Sequence, residues 1–154
     1  MPTDPPSGNK LRLRRQMRTR RSSLSPAAAR AAAFSAVHRL WSLPCLARAR
    51  RLALYLPADG ELDCTPLAVQ AWRRGRQVFL PVITGETLHF APFHSRSEMR
   101  ANRFGIAEPV TPRRNWRTAH ELDVIVAPLV AFDFQGRRLG MGGGFYDRTL
   151  AFLT

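Results

Sequence analysis

The sequence predicts an α/β fold: a single domain with a largely parallel sheet, flanking helices, and helices that precede the first strand. Apolar runs of strand length stand at residues 51–56, 77–82 and 123–130, and helical patterns separate or precede them. The order strand, helix, strand, then a later apolar strand feeding a helix is what a parallel sheet with crossover helices requires. A length of 154 residues with 45% hydrophobic and 23% charged content suits one domain with a real core.

Residues 1–8, with three prolines, read as a disordered leader, and the domain as 9–154. From Asn9 to Arg21, Leu11, Leu13 and Met17 recur among arginines in a weakly amphipathic helix. Ser25-Pro26 pairs an N-cap with a first-turn proline and opens an alanine-rich helix that Pro44 stops. Arg51 to Leu56 reads as a buried strand closed by Pro57-Ala-Asp-Gly60. Thr65-Pro66 repeats the cap signal and starts a helix that Gly75 ends. Gln77 to Val82 is the next strand, Thr84-Gly85 a turn, and Thr87 to Phe93 its hairpin partner. Arg96 to His120 is polar and reads mostly as loop. Asp123 to Val130 is the most hydrophobic strand, read as central, and it feeds the loop Ala131–Gly144 and a final helix from Phe145. With that helix barely two turns long, further C-terminal sheet and helix are expected to belong to the complete fold.

Composition narrows the function. No apolar run approaches the roughly 18–20 residues of a membrane span, and the basic N-terminus lacks the apolar segment of a secretory signal. The expected address is the cytosol, without a membrane partner. Cys45 and Cys64 have no metal-ligand spacing and read as two reduced thiols, and the four histidines are scattered. The net charge of +13 is uneven: residues 1–51 hold twelve of the 24 basic residues and one acid, a net +11. That segment suits phosphate, a polyphosphate or a polyglutamate ligand, or else is a solvated basic helix. Lys10 is the sole lysine.

The chemistry is concentrated in Gly136-Arg137-Arg138-Leu139-Gly140-Met141-Gly142-Gly143-Gly144-Phe145-Tyr146-Asp147. The segment follows a strand and opens a helix, where ligands of α/β folds collect and where backbone N–H groups face an anion. Four glycines in five residues remove the Cβ atoms that would hold a phosphate off the backbone. Asp147 can hold a metal that bridges phosphate oxygens. Neither a P-loop nor a G-x-G-x-x-G fingerprint is present, since Gly-Lys-Ser/Thr is missing and Phe145 occupies the last glycine's place.

The run Pro128-Leu-Val-Ala-Phe-Asp133 with Gly136-x-Arg138-Leu-Gly140-x-Gly142-x-Gly144-Phe-Tyr146-Asp147 resembles the signature of the 5-formyltetrahydrofolate cyclo-ligase family. Further pieces agree in order: Lys10-x-x-x-Arg14, Tyr55-Leu-Pro, Gly60-Glu-Leu-Asp63, Gly75-x-x-Val-Phe-Leu-Pro81 and Gly105-Ile-x-Glu-Pro109. The resemblance implies an ATP- and Mg²⁺-dependent ligase acting on 5-formyltetrahydrofolate, with or without a polyglutamate tail. It yields 5,10-methenyltetrahydrofolate, ADP and phosphate, with no protein nucleophile. It also implies roles by position. Lys10, Arg14, Arg138, Leu139, Gly140, Met141, Gly142, Gly143, Gly144, Phe145 and Tyr146 match ATP contacts. Leu56, Glu61 and Met141 through Phe145 match folate contacts, and Asp147 a Mg²⁺ ligand. Taken singly, Lys10 reads as a surface lysine, Leu56 as core, Glu61 as a solvated turn residue, and Tyr55 and Phe145 as packing. Many members carry basic residues in the glycine loop where this chain has Met141 and Gly143, which leaves Lys10, Arg14, Arg137 and Arg138 to supply charge. The alternatives are a non-catalytic remnant of the fold and a basic nucleic-acid-binding protein, for which no helix-turn-helix, zinc-finger or RNA-recognition signature is present. The expected chain is a monomer.

Overall fold

The computed structural model describes residues 7–153. Helices α1 (Ser7–Ser22), α2 (Pro26–Trp41) and α3 (Pro44–Arg48) lead into β1 (Arg51–Ala53). Helix α4 (Thr65–Arg73) and the hairpin β2 (Gln77–Thr84) and β3 (Thr87–Phe93) follow. Next come β4 (Met99–Ala101), β5 (Ala107–Pro109), β6 (Val124–Ile125), β7 (Ala131–Phe132), β8 (Arg138–Leu139) and α5 (Phe145–Thr149). The main sheet has the order β3-β2-β1-β6. Strand β1 pairs parallel with both β2 and β6, and β3 adds an antiparallel edge.

Period-two alternation builds two cores from one sheet. Leu52, Leu54, Val78 and Leu80 face one side and join Val37, Leu46, Leu67 and Ala71 from α2, α3 and α4. Ala53 and Phe79, one residue out of phase, face the other side with Leu88, Phe90 and Ala119, against which Phe145, Tyr146 and Leu150 pack. The short α5 is thereby docked on the sheet face opposite α2 and α4. Both faces are covered, as a parallel sheet demands.

Several local expectations shift. Helix α1 starts at Ser7, two residues ahead of the expected start, and the leader at 1–6 lies outside the described residues. Ser25 caps α2 as expected, its side chain accepting from the Ala28 N–H. Helix α2 ends at Trp41, short of Pro44 as expected, with Leu43 extended before the proline, which also occupies the first turn of α3, where its missing N–H costs no hydrogen bond. At α4 the N-cap position falls on Cys64, and it is the Asp63 carboxylate that accepts the Thr65 N–H at 2.8 Å. The run 96–120 holds a hairpin rather than loop alone: β4 pairs with β5, and Glu108 reaches back to accept the Ile83 N–H of β2 at 2.9 Å.

The largest correction concerns 123–130. Only Val124 and Ile125 form strand β6, and among the described residues it pairs on one side and lies at the rim of the sheet, where a central strand was expected. Its ladder continues one bond further, from the Val126 N–H to Ala53 O at 2.9 Å, before Pro128 removes a donor. The following segment, read as open loop, is folded into the two-stranded ribbon β7–β8. In chain order the ribbon β7–β8 stands between the sheet and the glycine loop.

Candidate functional site

The glycine loop runs from the end of β8 into α5. Gly142 (φ 110°) and Gly144 (φ 69°, the N-cap of α5) take left-handed backbone conformations that a side chain would strain. At Gly143 a Cβ would stand 3.1 Å from the Phe145 ring, so that ring already fills the space. The backbone N–H groups of residues 141–144 donate to no acceptor among the described residues. With only five residues, α5 lacks the length for a large helix dipole. The loop's own N–H groups and nearby guanidinium groups carry the attraction for an anion.

Helix α1 delivers the first cation. Arg14 donates from Nε to Gly140 O at 2.8 Å, and its guanidinium carbon lies 3.7 Å from where a Cβ on Gly142 would stand. The guanidinium thus lies beside the loop at van der Waals distance. Lys10, one turn earlier, shares this face of α1. A cleft of about 570 Å³ opens here, lined by Arg14, Arg15, Arg18, Asp59 and Met141. The end of α1 is tied down by polar contacts: Arg18 pairs with Asp59 at 2.6 Å, and Arg21 donates to Asp59 O at 3.0 Å and to Leu129 O at 3.3 Å.

The turn after β1 supplies the third segment. Glu61 closes it by accepting the Ala58 N–H at 3.1 Å, while its own N–H donates to Ala58 O at 2.9 Å. Its carboxylate lies within electrostatic reach of Tyr55 and Tyr146. Burial pushes the Tyr146 phenol well above its ordinary pKa, with the Arg138 charge opposing the shift. Tyr55 is raised by burial too, with the neighbouring Cys64 next in weight. Both phenols therefore keep their protons at neutral pH. The Tyr146 hydroxyl is buried and has no hydrogen-bond partner among the described residues, an opening for a ligand atom.

The structure thus brings together Arg14, the loop 140–144, Arg138, Tyr146, Asp147 and Glu61, with Lys10 on the same face of α1. Others have packing or ionic partners of their own. Arg137 is held by Asp133 at 2.7 Å, so it is not one of the loop's cations. Leu56 is half-buried against the helical-side core, and Leu139 is half-buried in the β7–β8 ribbon. Phe145 packs on the sheet and meets the Phe104 ring edge-on at 6.2 Å. Arg18, Arg21 and Asp59 were not singled out from sequence. Their only signal was a charge pattern that suits a solvated helix equally well.

Asp147 is ion-paired with Arg138, whose guanidinium also lies 5.6 Å from the Tyr146 ring centroid. Among the described residues no three His, Cys, Asp or Glu side chains converge on a point. One exposed carboxylate fits only a cation that keeps its waters and takes further ligands from a phosphate, which is the habit of Mg²⁺. Asp147 fits that limited role.

Known proteins resemble this chain along most of its length. A model of the 5-formyltetrahydrofolate cyclo-ligase family matches residues 6–154. The 5-formyltetrahydrofolate cyclo-ligase of Escherichia coli K12 is 44% identical over 137 residues, covering 87% of this chain and 75% of that protein. The enzyme of that name from Haemophilus influenzae is 44% identical over 106 residues, 67% of this chain and 57% of that one. The solved structure of Aquifex aeolicus 5,10-methenyltetrahydrofolate synthetase superposes with a TM-score of 0.80 at 34% identity, over 92% of this chain and 72% of that one. A synthetase from Mycoplasma pneumoniae, at 24% identity and a TM-score of 0.69, shares the fold.

Proposed function

The chain belongs to the 5-formyltetrahydrofolate cyclo-ligase family, and from that premise we propose how its residues serve the ATP-dependent closure of 5-formyltetrahydrofolate to 5,10-methenyltetrahydrofolate. In the first step the formyl oxygen attacks the γ-phosphorus of ATP and ADP leaves. In the second, the neighbouring folate nitrogen attacks the formyl carbon. Phosphate departs with the former formyl oxygen, the attacking nitrogen releases its proton to solvent, and the ring closes. Neither step needs a protein nucleophile. What the protein must supply is in-line placement and compensation of the charge on the transferring phosphoryl group.

The observation that carries the assignment of residues is the contact between Arg14 and Gly140 O, which lays a cation from the N-terminal helix along the glycine loop. In this reading Lys10 and Arg14 neutralise the phosphates, and the unpartnered N–H groups of 141–144 cradle their oxygens. Arg138 and Tyr146 complete the nucleotide side. Glu61 accepts N–H groups of the pterin, its carboxylate being an acceptor only. Leu56, Met141 and Phe145 supply apolar surface to the folate. Arg138 and Asp147 fix each other's orientation at the mouth of the loop. Magnesium, when bound, would be held by Asp147 and would neutralise phosphate charge. A monomeric cytosolic chain, acting on folate with or without a polyglutamate tail, completes the proposal.

The test is the appearance of methenyltetrahydrofolate absorbance from 5-formyltetrahydrofolate, with and without ATP and Mg²⁺. Product that requires both supports the reading. A folded chain that forms none would be a member of the family without turnover, and the roles given to Lys10, Arg14 and Asp147 would lapse.

A further inference from the structure

Arg148 lies just past the last residue of the glycine signature, and the mechanism above gives it no role. Its side chain nevertheless joins two segments far apart in sequence. Nε donates to Glu86 O at 2.7 Å, in the turn between β2 and β3, and Nη2 donates to Gly143 O at 2.8 Å, in the glycine loop. The guanidinium also lies 5.2 Å from the Phe145 ring centroid. Beside it runs a second tie: Thr149 Oγ1 accepts the Leu88 N–H at 2.8 Å and donates to Phe145 O at 2.7 Å. A Cβ on Gly144 would come 2.5 Å from Arg148 Nη1, so the space a side chain would need there is occupied by the strap itself.

We propose that Arg148 is a positioning residue that clamps the phosphate-binding loop to the β2–β3 turn and so fixes where the loop N–H groups point. The inference rests on the reading of 140–144 as that loop. A carbonyl accepting from the guanidinium cannot swing toward an incoming phosphate, and the peptide N–H on the far side of the same unit is set with it. The fork is what matters. Two donors on one rigid plane reach two carbonyls at once, and a lysine ammonium carries the charge without that geometry.

The test compares Arg148→Lys, Arg148→Met, a single glycine inserted between Gly85 and Glu86, and the insertion combined with Arg148→Met, all in the full chain. Each single change should lower kcat about tenfold, as expected for one or two lost hydrogen bonds. KM for ATP should stay within about twofold and the melting temperature close to that of the parent, because misaimed donors cost in-line geometry more than binding. The combined variant should be no slower than the slower single one, since both changes break the same strap. Full activity in Arg148→Lys, or losses that multiply in the combined variant, would overturn the proposal. If the parent chain shows no turnover, the functional reading fails and amide hydrogen exchange still decides this inference. Exchange at Leu88 and Arg148, whose N–H groups donate to Thr149 Oγ1 and Gly144 O beside the strap, should then quicken about tenfold in Arg148→Met, as for a segment held by about one net hydrogen bond. Unchanged exchange there would refute the clamp.

Discussion

Arg14 makes its contact with the glycine loop through a backbone carbonyl, and among the described residues no carboxylate pairs with it. Arg14→Met is expected to raise KM for ATP at least tenfold, the weight of one charged hydrogen bond, with little change in folate affinity. Initial-rate kinetics at varied ATP check this, and an unchanged KM would take Arg14 out of the nucleotide site. Asp147 is exposed and its only ion pair among the described residues is with Arg138. Asp147→Asn should therefore depress Mg²⁺-dependent turnover far more than the melting temperature. Equal loss of both would make it a structural residue. At Gly144 a methyl group meets positive φ and the Arg148 guanidinium together. Gly144→Ala is expected to cost about 1–2 kcal/mol in urea unfolding from the backbone term alone, and Gly142→Ala, where only the backbone objects, no more than that.

At the scale of elements, the sheet is pinned where β1 begins. Asp123 accepts the N–H groups of Arg50 and Arg51 at 2.7 and 2.8 Å, and these bonds, with that to Arg51 foremost, hold its carboxyl below the usual carboxylate range. A depressed carboxylate pKa contributes stability above its unfolded value near 3.8, and that contribution is lost as pH falls through the folded value. Asp123→Ala is expected to cost about 1 kcal/mol at neutral pH, at the low end because the side chain is exposed. The gap between variant and parent should close as pH falls below about 4, in urea titrations run at several pH values. A gap independent of pH would show that the bonds do not depend on the charge. On the other face, Phe90 is completely buried beneath α5 and its neighbours. Phe90→Ala should cost about 3–5 kcal/mol and loosen the seat of the glycine loop along with the core.

For the whole molecule, what brings the site together is polar rather than apolar. Helix α1 reaches the body of the protein through Arg14, Arg18 and Arg21, each bonded to the loop, to the turn after β1, or to the segment after β6. Ligand binding across these segments should then stabilise the fold as a unit. ATP with Mg²⁺ at a hundred times its dissociation constant should add about 2.7 kcal/mol, visible as a rise in melting temperature. Absence of any rise would mean that nucleotide does not bind the native state.

The order of elements was legible because it depends on local signals. Ser25-Pro26 marks the start of α2, Thr84-Gly85 the hairpin turn, and the apolar runs at 51–56 and 77–82 the strands β1 and β2. The glycine loop was legible for the same reason: glycines in a row beside arginines and an acid are a local pattern with few uses. Pairing partners were less accessible. The most hydrophobic run, 123–130, looked central, yet only two of its residues enter the ladder and they lie at the rim among the described residues. Hydrophobicity reports burial, and burial against a ribbon or a turn raises it as surely as burial between strands.

The sequence by itself determined the α/β class, the run of helices and strands, and the glycine loop as the candidate site, since each follows from periodicity, caps and glycine placement within a few residues. Only the tertiary structure decided that Arg14 rather than Arg137 lies along that loop, that Glu61 and Tyr146 share one neighbourhood, and that Arg148 straps the loop to a turn some sixty residues earlier. A guanidinium's partner is chosen by which carbonyls the folded backbone leaves within its reach, and that choice is made over distances local sequence does not encode.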